Sequence, residues 1–115
     1  MKLRDLIYRD GSANAYRFTA DGDGARFVYD PVTPERSSSG TYSGGDPRAG
    51  RLDAAQLATL WQHVRALETN TALHVTDRGK GTGLFLIAAA SGERSFIIVR
   101  GAELLAFDTF VGALR

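Results

Sequence analysis

Leu52-Asp53-Ala54-Ala55-Gln56-Leu57-Ala58-Thr59-Leu60-Trp61-Gln62-His63-Val64-Arg65-Ala66-Leu67 is the stretch that organises this chain. Asp53 and Gln56 fit a capping-box variant. The Asp53 carboxylate accepts from the orphan amides of the first turn, and Gln56 reaches back to the N-cap amide. Leu52 and Leu57 stand at the two positions of a hydrophobic staple. Leu57, Leu60, Trp61, Val64 and Leu67 then recur at helical spacing and make one apolar stripe. The reading is an amphipathic helix from Asp53 to near Asn70, with Asn70 expected to end it in the left-handed conformation. Trp61 on such a stripe reads as core, not as a ligand platform.

Upstream of the helix the period changes from 3.6 to 2. Tyr16, Phe18 and Ala20 alternate with Arg17 and Thr19. Ala25, Phe27 and Tyr29 alternate with Arg26, Val28 and Asp30. Asp21-Gly22-Asp23-Gly24 lies between them, so the two runs form a hairpin with cross-strand aromatic pairs. Before it, Leu3 to Tyr8 is a short, mostly apolar run closed by the turn signal Asp10-Gly11. Residues 31–50 hold Pro31, Pro34 and Pro47 with Ser37-Ser38-Ser39-Gly40 and Gly44-Gly45. They read as two loops around a short edge strand from Gly40 to Ser43.

Downstream, Leu84 to Ala90 and Phe96 to Val99 are apolar on both faces, and Ser91-Gly92-Glu93 connects them as a hairpin. Strands of that kind sit centrally. Phe107, Phe110, Val111 and Leu114 mark a short C-terminal helix that begins at an Asp108 cap or as early as Ala102. The fold class expected is α+β: a mainly antiparallel sheet of about five to six strands on one long amphipathic helix, with a short C-terminal helix. No internal repeat of fixed period is present.

Composition bounds the function classes. The chain has 115 residues, 43% hydrophobic and 23% charged, the balance of one globular domain. It has no cysteine, which excludes disulfides, thiolate metal sites and cysteine nucleophiles. Lys and Arg number 14 against 13 Asp and Glu, for a net charge of +1. That is too even for strong attraction to phosphate, so no nucleic acid is expected. No stretch approaches the roughly 20 apolar residues of a membrane helix. The stretch Met1-Lys2-Leu3-Arg4-Asp5-Leu6-Ile7 lacks a signal peptide's apolar run. As given, the chain reads as soluble and cytoplasmic, and as exported if a signal has been cleaved from it; the compartment stays unknown.

Each motif that hints at chemistry fails a spacing test. Gly79-Lys80-Gly81-Thr82 resembles a phosphate loop, but His74 and Gly81 stand where a glycine and a Ser or Thr are required, and a strand follows instead of a helix. The simpler reading is a flexible, solvated loop; a loose anion site with Arg78 and Lys80 is the alternative. Asp21-Gly22-Asp23-Gly24 lacks calcium ligands at Ala25 and Val32, so a turn is expected. His63 lies about 100° off the helix stripe and reads as structural. His74, Asp77 and Ser37 to Ser39 are an inventory, not a triad. No catalytic residue, metal ligand or cofactor is assigned.

Gly50-Arg51-Leu52-Asp53-Ala54-Ala55-Gln56-Leu57, with Leu60 downstream and a hairpin on either side, resembles a family of uncharacterised small bacterial domains. Its members often occur in secreted or lipoprotein contexts. The resemblance implies the fold and no established activity. Two readings of function follow. The first is a non-enzymatic binding or accessory module for a protein partner, through Tyr42, Asp46 and Arg48 of the long loop and Arg78 and Lys80 of the later one. The second is a small enzyme or small-molecule sensor with a histidine-containing pocket. Self-association through an open sheet edge is a third route, and a monomer or weak homodimer is expected.

Overall fold

Alternation of aromatic and polar side chains drives residues 15–30 into two strands. β2 (Ala15–Asp21) and β3 (Gly24–Asp30) pair antiparallel in the computed structural model, with Tyr16 opposite Tyr29 and Phe18 opposite Phe27. The expected aromatic pairs are formed: the ring centroids lie 4.7 Å apart for Tyr16–Tyr29 and 5.2 Å for Phe18–Phe27. The structure describes residues 3–115. Met1 and Lys2, part of the stretch read for a signal, lie outside the described residues.

β1 (Leu3–Arg9) is the middle strand. It pairs with β2 on one side and with β6 (Gly83–Ala89) on the other. β6 continues into β7 (Gly92–Ile98), which pairs with the two-residue β5 (His74–Val75). On the far side β3 pairs with β4 (Arg48–Leu52). The result is one antiparallel sheet of seven strands in the order β4-β3-β2-β1-β6-β7-β5. Five to six strands were expected. The difference is short β5, which carries no alternation of its own, and an edge strand placed later than expected. Residues 40–43 are irregular, and the edge strand begins at Arg48, because Ala49, Gly50 and Arg51 extend straight back from the helix cap beside β3.

α1 (Ala54–Thr69) and α2 (Ala102–Gly112) cover one face of the sheet. The capping box is present: Gln56 N donates to Asp53 Oδ1 at 2.8 Å, and Asp53 N donates to Gln56 Oε1 at 2.9 Å. Leu60, Val64 and Leu67 are buried, while Leu57 and Trp61 are only half-buried against the cluster. Three buried side chains at about 2 kcal/mol each hold this helix more firmly than the cap's roughly 1 kcal/mol. Asn70 has φ −86°, not the left-handed value expected, because the chain runs on into a 3-10 turn at Thr71–Leu73. α2 begins at Ala102, so Asp108 sits inside the helix and not at its cap.

Two glycines allow the layers to close. A Cβ at Gly24 would lie 2.1 Å from the Leu52 carbonyl oxygen, where the chain turns into α1. One at Gly83 would lie 2.7 Å from Leu104 Cδ1 and 2.9 Å from Tyr8 Cε1, so α2 approaches β6 across it. The core between sheet and helices is aromatic, with Tyr8 edge-on to Phe107 at 4.9 Å and tilted on Phe85 at 4.7 Å. No helix among the described residues is long and apolar enough to cross a membrane.

Candidate functional site

The turn that joins β1 to β2 is built by one carboxylate. Asp10 accepts from the amides of Ser12 and Asn14, each at 2.9 Å, and from Asn14 Nδ2 at 3.0 Å. This is the local bonding by which Asp stabilises turns. Ala13 takes φ 68°, the one left-handed residue other than glycine among those described. Asn14 is 4% exposed and fully used. Its Nδ2 also donates to the Tyr42 hydroxyl at 2.9 Å, and its Oδ1 accepts from Val32 N at 2.8 Å. The long loop is thereby pinned to the turn.

Residues 77–82 pack against the same turn. Arg78 Nη2 donates to the Asp10 carbonyl at 3.1 Å, and its Nη1 donates to the Thr82 carbonyl and hydroxyl. A Cβ on Gly11 would meet Gly81 Cα at 2.9 Å, so the two loops touch backbone to backbone. The expectation of a flexible, solvated loop gives way to a braced one: Arg78 is a clamp.

These two loops form one wall of a cleft of about 500 Å³, and the start of α2 forms the other. Asp10, Ser12, Tyr16, Gly81, Arg100, Leu104, Asp108 and Arg115 are among the residues that line it. Tyr16 is 3% exposed. Its ring is held by Tyr8, Phe27 and Tyr29, and its hydroxyl makes no hydrogen bond among the described residues. No fully buried side-chain oxygen or nitrogen lacks a partner among those residues, so this oxygen meets the cleft. Burial pushes its pKa up to about 12, against a lowering by Arg115.

Asp108 accepts a hydrogen bond from the Tyr8 hydroxyl. Burial raises the Asp108 carboxyl above its ordinary range, and the Tyr8 bond partly offsets that rise. Tyr8 is itself pushed far up, first by burial and then by its bond to Asp108. Arg100 carries no ion pair or hydrogen bond among the described residues, and the first turn of α2 has Gly101 at its N-cap with no capping side chain. Arg115 lies over the Tyr29 ring at 4.4 Å and donates to the Gly44 carbonyl at 3.1 Å. The cleft therefore offers a free guanidinium and helix-start amides together with carboxyl and phenol groups.

Of the residues singled out in the sequence, Tyr42 and Arg78 come together here through Asn14 and Asp10, as supports of the cleft rim. Lys80 is exposed beside Gly81. Asp46 is exposed in the long loop, and Arg48 opens β4 opposite Tyr29, so neither joins the lining. His63 packs tilted against Phe110, with ring centroids 4.5 Å apart. His74 stacks on Phe96 at 5.1 Å, with Nε2 3.0 Å from the Leu67 carbonyl. Neither ring meets a carboxylate or hydroxyl among the described residues. No cluster there has the makings of a metal site. The residues that sequence reading missed are Asp10, Tyr16, Arg100, Asp108 and Arg115. Asp10 reads as a turn residue, Tyr16 as a strand residue and Asp108 as a candidate cap, and no local signal joins them into a site.

Comparison with known proteins finds no matching family model, curated protein or solved structure.

Proposed function

We propose that this chain is a non-enzymatic binding module whose cleft takes a small ligand carrying a carboxylate beside a hydroxyl or amine. The observation that carries this reading is the Tyr16 hydroxyl, held by three aromatic rings and left without a partner at the cleft. The hydroxyl opens on the cleft with no protein partner among the described residues, so a ligand oxygen or nitrogen there gains a hydrogen bond at no cost to the fold. Arg100 and the uncapped amides of α2 suit the ligand's carboxylate. Asp10 and Asp108 suit its hydroxyl or amine. The lining balances two arginines against two carboxyl groups, which disfavours a polyanion such as a nucleotide.

Binding is favoured over catalysis because nothing among the described residues activates a nucleophile at the cleft. Ser12 is the lining's aliphatic hydroxyl, and no histidine or carboxylate bonds its oxygen among the described residues.

A thermal-shift and calorimetric panel of small amino and hydroxy carboxylates tests it. A ligand at 100 times its Kd adds about 2.7 kcal/mol of stability. Tyr16→Phe and Arg100→Ala should each abolish the response while the proteins stay folded. A panel that leaves the wild type unmoved, or a ligand that binds both variants as tightly as wild type, sinks the proposal.

A further inference from the structure

The second face of the sheet is covered by neither helix among the described residues, and its central strands are apolar there as well. Cross-strand register arranges this face in three rows. The first runs Arg26, Thr19, Asp5, Ala88, Glu93. The second runs Val28, Arg17, Ile7, Leu86, Ser95. The third runs Asp30, Ala15, Arg9, Leu84, Ile97, and Val75 extends it on β5. Val28, Leu86 and Val75 are exposed, and Ile7, Leu84, Ala88 and Ile97 are half-buried. Ile7, Leu84, Leu86, Ala88, Ile97 and Val75 form a contiguous apolar patch, with Val28 set apart beyond Arg17, and such a patch marks an interaction surface.

We infer that a second copy of this chain covers it, face to face, as a two-fold sandwich. The charges point to that occupant. Place a two-fold axis between two such faces, running across the strands at the level of Ile7 and Leu86. Each strand then lies over its own symmetry mate, and the first row falls on the third. Asp5 meets Arg9, Arg26 meets Asp30, and Ala88 meets Leu84, while Ile7 and Leu86 each meet themselves. Arg9 and Arg26 have no ionic partner among the described residues, and this arrangement gives both one: Arg9 meets Asp5, which within its own chain accepts only from the Thr19 hydroxyl at 3.0 Å, and Arg26 shares Asp30 with the exposed Arg36 at 3.4 Å. Towards the rim Ile97 falls on the aliphatic stem of Glu93. One like-charge meeting stands against these, Arg17 on its mate, and its long side chain reaches outward to relieve it.

Antiparallel sheets pack in this aligned manner about 10 Å apart, at a crossing near 30°. Five spacings of about 4.8 Å, from β3 to β5, by roughly 17 Å of strand give on the order of 400 Å² per copy, the size of a weak association. The surface is separate from the cleft, so this inference does not rest on the ligand reading.

Sedimentation velocity over a concentration series tests it, with circular dichroism to confirm folding. Wild type should shift from monomer to dimer as concentration rises. Leu86→Glu should stay monomeric. Asp5→Arg and Arg9→Asp should each weaken the dimer by about tenfold or more, and the two together should restore it, because the pair is exchanged across the axis. A wild type that is monomeric up to about 1 mM overturns the inference and assigns the face to another partner. A dimer unaffected by Leu86→Glu, or a double variant no better than the singles, overturns this arrangement.

Discussion

The Tyr8 hydroxyl donates to the Asp108 carboxylate, 100 residues along the chain, and so ties the central strand to α2 beside the cleft. Tyr8→Phe keeps the ring packing and removes only the donor. A hydrogen bond to a charged group contributes about 2 kcal/mol, so urea unfolding at pH 7 should show a loss of that order. The sign of its pH dependence follows from Asp108. Its pKa is raised above the ordinary 3.8 when folded, so the stability linked to its proton is complete below 3.8 and is lost as pH rises through the folded value. Without Tyr8 that rise is larger. The deficit of the variant should therefore shrink in acid; an equal deficit at both pH values would show that Asp108 is not the group involved.

Tyrosine titration governs the alkaline limit. Burial raises the pKa of Tyr8, Tyr16 and Tyr29 above the ordinary 10.0. Their neutral forms stabilise the fold below pH 10, and that contribution is lost as pH climbs through the folded values, about 12 for Tyr16. Stability should fall steeply above about pH 10, and Tyr16→Phe should flatten the slope. Denaturation midpoints across this range, with tyrosinate absorbance followed in parallel, decide the matter. A slope unchanged in Tyr16→Phe would exclude this tyrosine as a contributor.

What could be read from the sequence divides along a physical line. The Tyr16–Tyr29 hairpin and the Asp53 cap were legible because local spacing determines both. The place of β1 was not. Leu3 to Tyr8 reads as one short apolar run, and only pairing with strands on both sides makes it central. The cleft was hidden for the same reason. Asp10, Tyr16, Gly81, Arg100 and Asp108 lie on four separate segments that no short motif spans. Arg78 was picked out by its loop composition, yet its role as a clamp depends on Asp10, 68 residues away. The two-faced apolar pattern of β6 placed that strand inside the sheet, where it lies between β1 and β7.

Gly24 and Gly50 make a contrasting pair. At Gly24 an added methyl group would strike the Leu52 carbonyl at 2.1 Å, and backbone cannot step aside as a side chain can. Gly24→Ala should cost about 2–3 kcal/mol and loosen the entry to α1. At Gly50 nothing lies within 4 Å of the same position. Gly50→Ala should be neutral or stabilise by up to about 1 kcal/mol through the unfolded chain. Melting temperatures that fall equally for both would count against the contact at Gly24.

The capping box makes a prediction about coupling. Asp53 and Gln56 each satisfy an amide belonging to the other residue. Asp53→Ala should cost about 1 kcal/mol, since it strands a first-turn amide. Gln56→Ala should cost less, because the Asp53 amide lies in an exposed part of the chain where water replaces the lost acceptor. Each bond positions the side chain that makes the other, so the two losses should not add. A double-mutant cycle by chemical denaturation should give a coupling of about 0.5 kcal/mol or more. Simple additivity would mean that the two bonds form independently, and that the helix start is set by the buried Leu52, Leu60, Val64 and Leu67 alone.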